Sequence, residues 1–129
     1  MSPAEHLLHV KERLLSDPLV VRFQIRRERI TDGSGYLRAR VELLDESWLE
    51  FSEYFERLSD NTIQVLTYSY HWGQADGSLR IRWDNTPHHP SLAGFPHHVH
   101  DGPTGEVRPG AGINIFAVLD RIAALSSPS

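Results

Sequence analysis

The segment from Arg82 to His100 reads RWDNTPHHPSLAGFPHHVH and holds five of the chain's eight histidines and three of its eight prolines. Histidine has an ordinary pKa of about 6.5, so its acid and base forms coexist near neutral pH. Gathering such groups in a stretch pinned by Pro87, Pro90 and Pro96 admits three readings. They are a proton-transfer set, a metal site, or a stiff polar loop whose imidazoles satisfy its own backbone.

Cleaving RNA without a metal needs a base for the 2′-hydroxyl, an acid for the leaving oxygen and a cation over the phosphate. His71, Arg82, His97, His98 and His100 are the candidate catalytic set. The histidines would move protons, and the planar fork of Arg82 would grip phosphate oxygens. Tyr68, Tyr70, Trp72 and Trp83 are candidate stacking surfaces for an unpaired base. Arg80, Asp84, Asn85, His88 and His89 are further candidate binding residues.

In the metal reading, His98 and His100 share a face if Val99 is extended. His88, His89, Asp84 or His97 then completes a zinc-like set, and Asp84 and Glu53 are the carboxylates a metal-dependent nuclease would use. The spacing matches no familiar zinc signature, so a divalent metal is an open alternative as cofactor. The bland reading also has support. Asp84-Asn85-Thr86-Pro87 has the pattern of a strand end followed by an Asx turn, and His89 and Phe95, each before a proline, are pushed towards extended backbone.

The elements that must position these groups follow from periodicity. Ser2 and Glu5 flank Pro3 as a capping box, and Leu7, Leu8, Leu14 and Leu15 continue as a helix that Ser16-Asp17-Pro18 ends. Val21, Phe23 and Ile25 then alternate with Arg22, Gln24 and Arg26, and Leu37, Ala39, Val41 and Leu43 alternate with Arg38, Arg40 and Glu42. A third strand is expected around Leu49, Phe51 and Phe55, a fourth over 62–72, and a fifth over 78–83 after the Asp76-Gly77 turn. If Trp72 pairs with Ser78, Tyr70 faces Arg80 and Tyr68 faces Arg82; a one-residue slip puts His71 by Arg80 and Ser69 by Arg82. Gly102 to Gly112 reads as an exposed, mobile loop, and 114–125 as an apolar helix with Ile115, Leu119 and Ile122 on one face. The expectation is one α+β domain over 1–129: an antiparallel sheet of about five strands flanked by an N-terminal and a C-terminal helix.

Composition sets further bounds. Without cysteine, disulfides and thiolate metal sites are excluded. No apolar run approaches the ~20 residues that span a bilayer, and the N-terminus lacks signal-peptide features, so the chain is expected in the cytoplasm, away from membranes. The net charge of −4 argues against indiscriminate nucleic-acid binding. Six arginines between Leu19 and Val41 nevertheless outnumber Glu28 and Asp32. They read first as the wet face of a sheet, and otherwise as a dock for RNA or an acidic partner.

Tyr68-Ser69-Tyr70-His71-Trp72, Asp76-Gly77, Arg82-Trp83-Asp84-Asn85, Pro87-His88-His89 and Phe95-Pro96-His97-His98-Val99-His100 together resemble the TumE family. Gly35-Tyr36-Leu37-Arg38-Ala39-Arg40 and Glu53-Tyr54 fit the same pattern, and the likeness runs from about Val20 to Leu125. It is weakest in the Gly/Pro-rich stretch 102–112. The resemblance implies a small toxin of a prokaryotic toxin–antitoxin pair, encoded beside a cognate DNA-binding antitoxin. The role that the resemblance implies is that of a type II toxin; the reaction is read from the residues as ribonuclease action at the His/Arg site, on RNA or the ribosome. The alternatives are a non-catalytic inhibitor that occupies its target and a small histidine-liganded metalloprotein.

Overall fold

A computed structural model describes residues 1–126. Helix α1 (Pro3–Ser16) starts where the capping box places it, with the Ser2 hydroxyl accepting from the Glu5 amide and the Glu5 carboxylate accepting from the Ser2 amide. Seven antiparallel strands follow: β1 (Val20–Ile30), β2 (Ser34–Leu43), β3 (Trp48–Arg57), β4 (Ile63–Gly73), β5 (Leu79–Asp84), β6 (His98–Asp101) and β7 (Val107–Pro109). They lie side by side in chain order, and α2 (Ile115–Ser126) closes the fold. No helix among the described residues is long and apolar enough to cross a membrane.

The alternation in β2 and β3 sorts the sheet into two faces. Leu37, Ala39, Val41, Leu49 and Phe51, joined by Tyr68, Tyr70, Trp72 and Trp83, form one buried cluster with Leu7, Val10 and Leu14 of α1 and Ile115, Val118, Leu119 and Ile122 of α2. Both helices therefore cover the same face. Leu8 and Leu15, expected to share the apolar stripe of α1, point to solvent, because the residue next to each core position is turned about 100° away. The opposite, open face carries the polar members of each strand. Its arginines are partly neutralised by cross-strand ion pairs, Arg22–Glu42 and Arg40–Glu50, both at 2.7 Å.

The expected count of about five strands falls short by two. Strands β6 and β7 come from the end of the histidine segment and from the Gly/Pro stretch read as a mobile loop. Each is too short to show a period by itself. Pro109 in β7 also looks like a strand breaker, yet β7 is the edge of the sheet, where a missing amide costs no ladder bond. The register of the β4–β5 hairpin matches neither alternative drawn from the sequence. His71 pairs with Arg82, Tyr70 with Trp83 and Ser69 with Asp84, because a bulge beside Gly73 leaves Arg80 as an extra residue on β5. The loop is closed by Gln74 and Gly77 (φ 89°), a left-handed conformation that glycine adopts without a Cβ clash.

Glu53 is fully buried on the helix side. Its carboxylate accepts from the Tyr70 hydroxyl at 2.5 Å and the Ile115 amide at 3.1 Å, and His6 Nε2 lies 3.4 Å away. One side chain thus joins β3, β4 and both helices, with a negative charge at the N-terminus of α2. Burial, then the Glu53 charge, pushes the Tyr70 hydroxyl far up from its ordinary pKa. Glu53 lies on the opposite face of the sheet from Asp84, so the two do not share a metal site. Glu53→Ala should destabilise the fold by about 3 kcal/mol, since it strands buried donors. Glu53→Gln, which keeps an acceptor, should cost less. Urea denaturation of both variants checks the order.

Candidate active site

The four residues Arg82-Trp83-Asp84-Asn85 each do something different. Trp83 points inward to the core, while Arg82 and Asp84 point to the open face. Asp84 has no exposed surface. It accepts from Arg82 Nε at 2.7 Å and from the Thr86 amide at 3.1 Å, the latter closing the expected Asx turn. Asn85 accepts from the Tyr68 amide at 3.0 Å and donates to the Leu66 carbonyl at 2.7 Å. Its side chain thereby continues the β4–β5 pairing beyond the backbone ladder, which makes it a clamp.

Strand β6 brings histidines to this pair. Asp84 lies opposite His98 and Arg82 opposite His100. His98 Nε2 is 2.8 Å from one Asp84 oxygen, and His100 Nε2 is 3.5 Å from the other. His98 Nδ1 lies 2.9 Å from the Pro96 carbonyl; a carbonyl only accepts, so Nδ1 carries a proton. His89 reaches in from the loop between β5 and β6, its ring centre 5.0 Å from that of His98 and 6.0 Å from that of His100.

The remaining histidines divide. His71 stacks on Trp48 with ring centres 5.3 Å apart, and the Arg40 guanidinium lies 4.6 Å from the Trp48 centroid. His97 turns to the helix side, where its Nδ1 lies 2.8 Å from the Tyr68 hydroxyl and its ring stacks on Tyr68. It is therefore separated from His98 and His100 by the sheet. His88 is exposed.

Register aligns these groups in two adjacent rows on the open face. One runs Glu50, His71, Arg82, His100 across β3 to β6; the other runs Ser52, Ser69, Asp84, His98. A cleft of about 340 Å³ opens over the β3–β5 part of these rows, lined in part by Arg38, Trp48, Ser69, His71 and Arg82. Burial, then the Arg82 charge, lowers the His71 pKa against the opposing pull of Glu50. His100 is lowered by burial and by Arg82 in the same way. Burial alone would raise the Asp84 carboxyl, but its bonds from Arg82 and Thr86 outweigh this and hold it below the usual range.

Tyr68, Tyr70, Trp72 and Trp83 are buried under the helices, so their rings offer no face to a base. Burial, then the Asp84 charge, pushes the Tyr68 hydroxyl up to about 12. Arg80 lies over Trp72, 4.2 Å from its centroid. Trp48 does line the cleft, beside Phe51 and His71. The alternation of β3 carried the signal, since Trp48 falls in phase with Glu50 and out of phase with Leu49 and Phe51.

The Toxin TumE family model matches residues 10–125. The chain belongs to the TumE toxin family. The match runs from within α1 into α2 and includes every strand of the sheet. No curated protein and no solved structure matches the chain. Membership in TumE supports a toxin's role, and a toxin family implies an antitoxin partner in general.

The charged groups around His71 make its environment testable. Glu50 flanks it on β3, Arg82 on β5, and Arg38 on β2 lines the same cleft. Its imidazole should titrate below pH 6.5 and remain neutral at pH 7. In Arg82→Gln, with the repelling charge removed, the midpoint should rise. NMR titration of the His71 ring protons reads both values.

Proposed function

We propose that this TumE-family chain is the toxin of a type II pair, restrained by a DNA-binding protein antitoxin, and that it arrests growth by cleaving RNA on the open face of its sheet. The observation that carries this reading is the row His71, Arg82, His100, in register on three neighbouring strands. Strands lie about 4.8 Å apart, so two proton-handling groups flank one guanidinium at a spacing suited to a single phosphodiester.

Arg82 Nε is bonded to Asp84, which fixes the guanidinium and leaves its terminal nitrogens for phosphate oxygens. His71, neutral at pH 7, takes the proton from the 2′-hydroxyl as that oxygen attacks phosphorus. The bond to the 5′-oxygen breaks, and the leaving oxygen takes its proton from a water at the His98–His100 end of the row, the hydroxide so formed being neutralised by the proton that His71 took. The products are a 2′,3′-cyclic phosphate and a 5′-hydroxyl. Ser69 and Arg38 along the cleft supply neutral and cationic contacts to the flanking backbone.

Tightly induced expression tests the role. The native chain should arrest growth. His71→Ala and Arg82→Gln, matched for soluble amount, should not, because loss of a general base costs roughly 10²–10⁴ in rate. Arg22→Ala, on the exposed edge strand, should remain as toxic as the native chain. Equal arrest by all four chains would mean that toxicity comes from occupying a target, not from this row.

A further inference from the structure

We propose that His89, His98 and His100 form a binding site for a divalent transition metal of the zinc class, with the Asp84 carboxylate as its charged neighbour. This goes beyond RNA cleavage and stands on the geometry of the cluster. One donor nitrogen from each of the three histidines lies within 4.8 Å of the other two. Zinc binds imidazole nitrogen at about 2.0–2.1 Å in tetrahedral sites, which sets donors roughly 3.3 Å apart. Small rotations of the three side chains close that difference, and His89, half-buried on a loop, has the most freedom to make them.

The hydrogen bonding of the cluster is incomplete in a way that a metal resolves. His98 is 2% exposed, yet its Nε2 has no hydrogen-bond partner, and neither does His100 Nε2. Both approach the Asp84 oxygens without the angles of a hydrogen bond. With Nδ1 of His98 turned to the Pro96 carbonyl, Nε2 is the nitrogen that faces the cluster and the Asp84 carboxylate.

The surroundings match what metal-bound histidine requires. A backbone carbonyl on the second ring nitrogen fixes tautomer and ring orientation, as Pro96 does for His98. Asp84 is itself held by Arg82 and the Thr86 amide. A loop that used its histidines only for its own backbone would direct their nitrogens to main-chain groups and leave none converging. Three imidazoles with no thiolate favour zinc, nickel, copper or cobalt over magnesium or calcium, which prefer all-oxygen shells. Three protein ligands with one exposed side also leave room for water, the arrangement of catalytic zinc sites. The cluster sits beside Arg82 at the leaving-group end of the row, where a metal held by His89, His98 and His100 would supply positive charge near the departing oxygen.

The test uses the full chain without a histidine tag, stripped with chelator and titrated with Zn²⁺ by calorimetry and with Co²⁺ by visible absorption. The site predicts one ion per chain and cobalt bands of a four- or five-coordinate nitrogen-rich centre. His98→Asn should abolish binding, and His89→Asn should weaken it more than about tenfold. His97→Asn, on the other side of the sheet, should bind as the native chain does. His89 lies on a loop, so its variant keeps the test decisive if His98→Asn does not fold. Substoichiometric uptake, or the same loss in His97→Asn as in His89→Asn, overturns the site. No RNA is present, so the result is separate from that of the growth assay.

Discussion

A carboxylate without exposed surface has to be surrounded by donors and positive charge, because an isolated buried anion is too costly to keep. Asp84 is such a group, and the polar rows of the open face are arranged around it. It orients Arg82 and turns the chain at Thr86. It also faces His98 on β6. Asn85, the next residue, fastens the same point to β4. The result is a fixed guanidinium with its remaining donors free, flanked by imidazoles on both neighbouring strands.

The sheet keeps its two jobs apart through strand alternation. The helix side takes the large rings and the second buried carboxylate, Glu53, which binds both helices to the sheet. The open side takes His71, Arg82, Asp84, His98 and His100. Tyr68, Tyr70, Trp72 and Trp83 therefore contribute rigidity to the groups behind them, and the polar residues between them face the open side.

Much of this was legible in the sequence where the pattern was local. The capping box of α1, the alternation in β2 and the apolar face of α2 all reappear at their expected places. Extended backbone at Val99 does put His98 and His100 on one face, as their spacing suggested. What was not legible depended on distant partners. A bulge at Gly73 sets the hairpin register, and no single residue announces it. Strands β6 and β7 are fixed by pairing with β5, not by their own periods. His89 joins the cluster through the path of a loop, while His97, next to His98 in sequence, lies on the other face. Tyrosine and tryptophan suit both a core and a base-stacking surface, so their type could not say which face they occupy.

The account's central claim is that the row across β4, β5 and β6 breaks RNA by internal attack of the 2′-hydroxyl. The most direct measurement is the chemistry of the RNA ends left by purified protein, read by ligation and phosphatase sensitivity on RNA and on ribosomes. The account predicts 2′,3′-cyclic or 3′-phosphate ends facing 5′-hydroxyl ends, with neither formed by His71→Ala. Intact RNA on both substrates, or fragments with 5′-phosphate and 3′-hydroxyl ends, would contradict it.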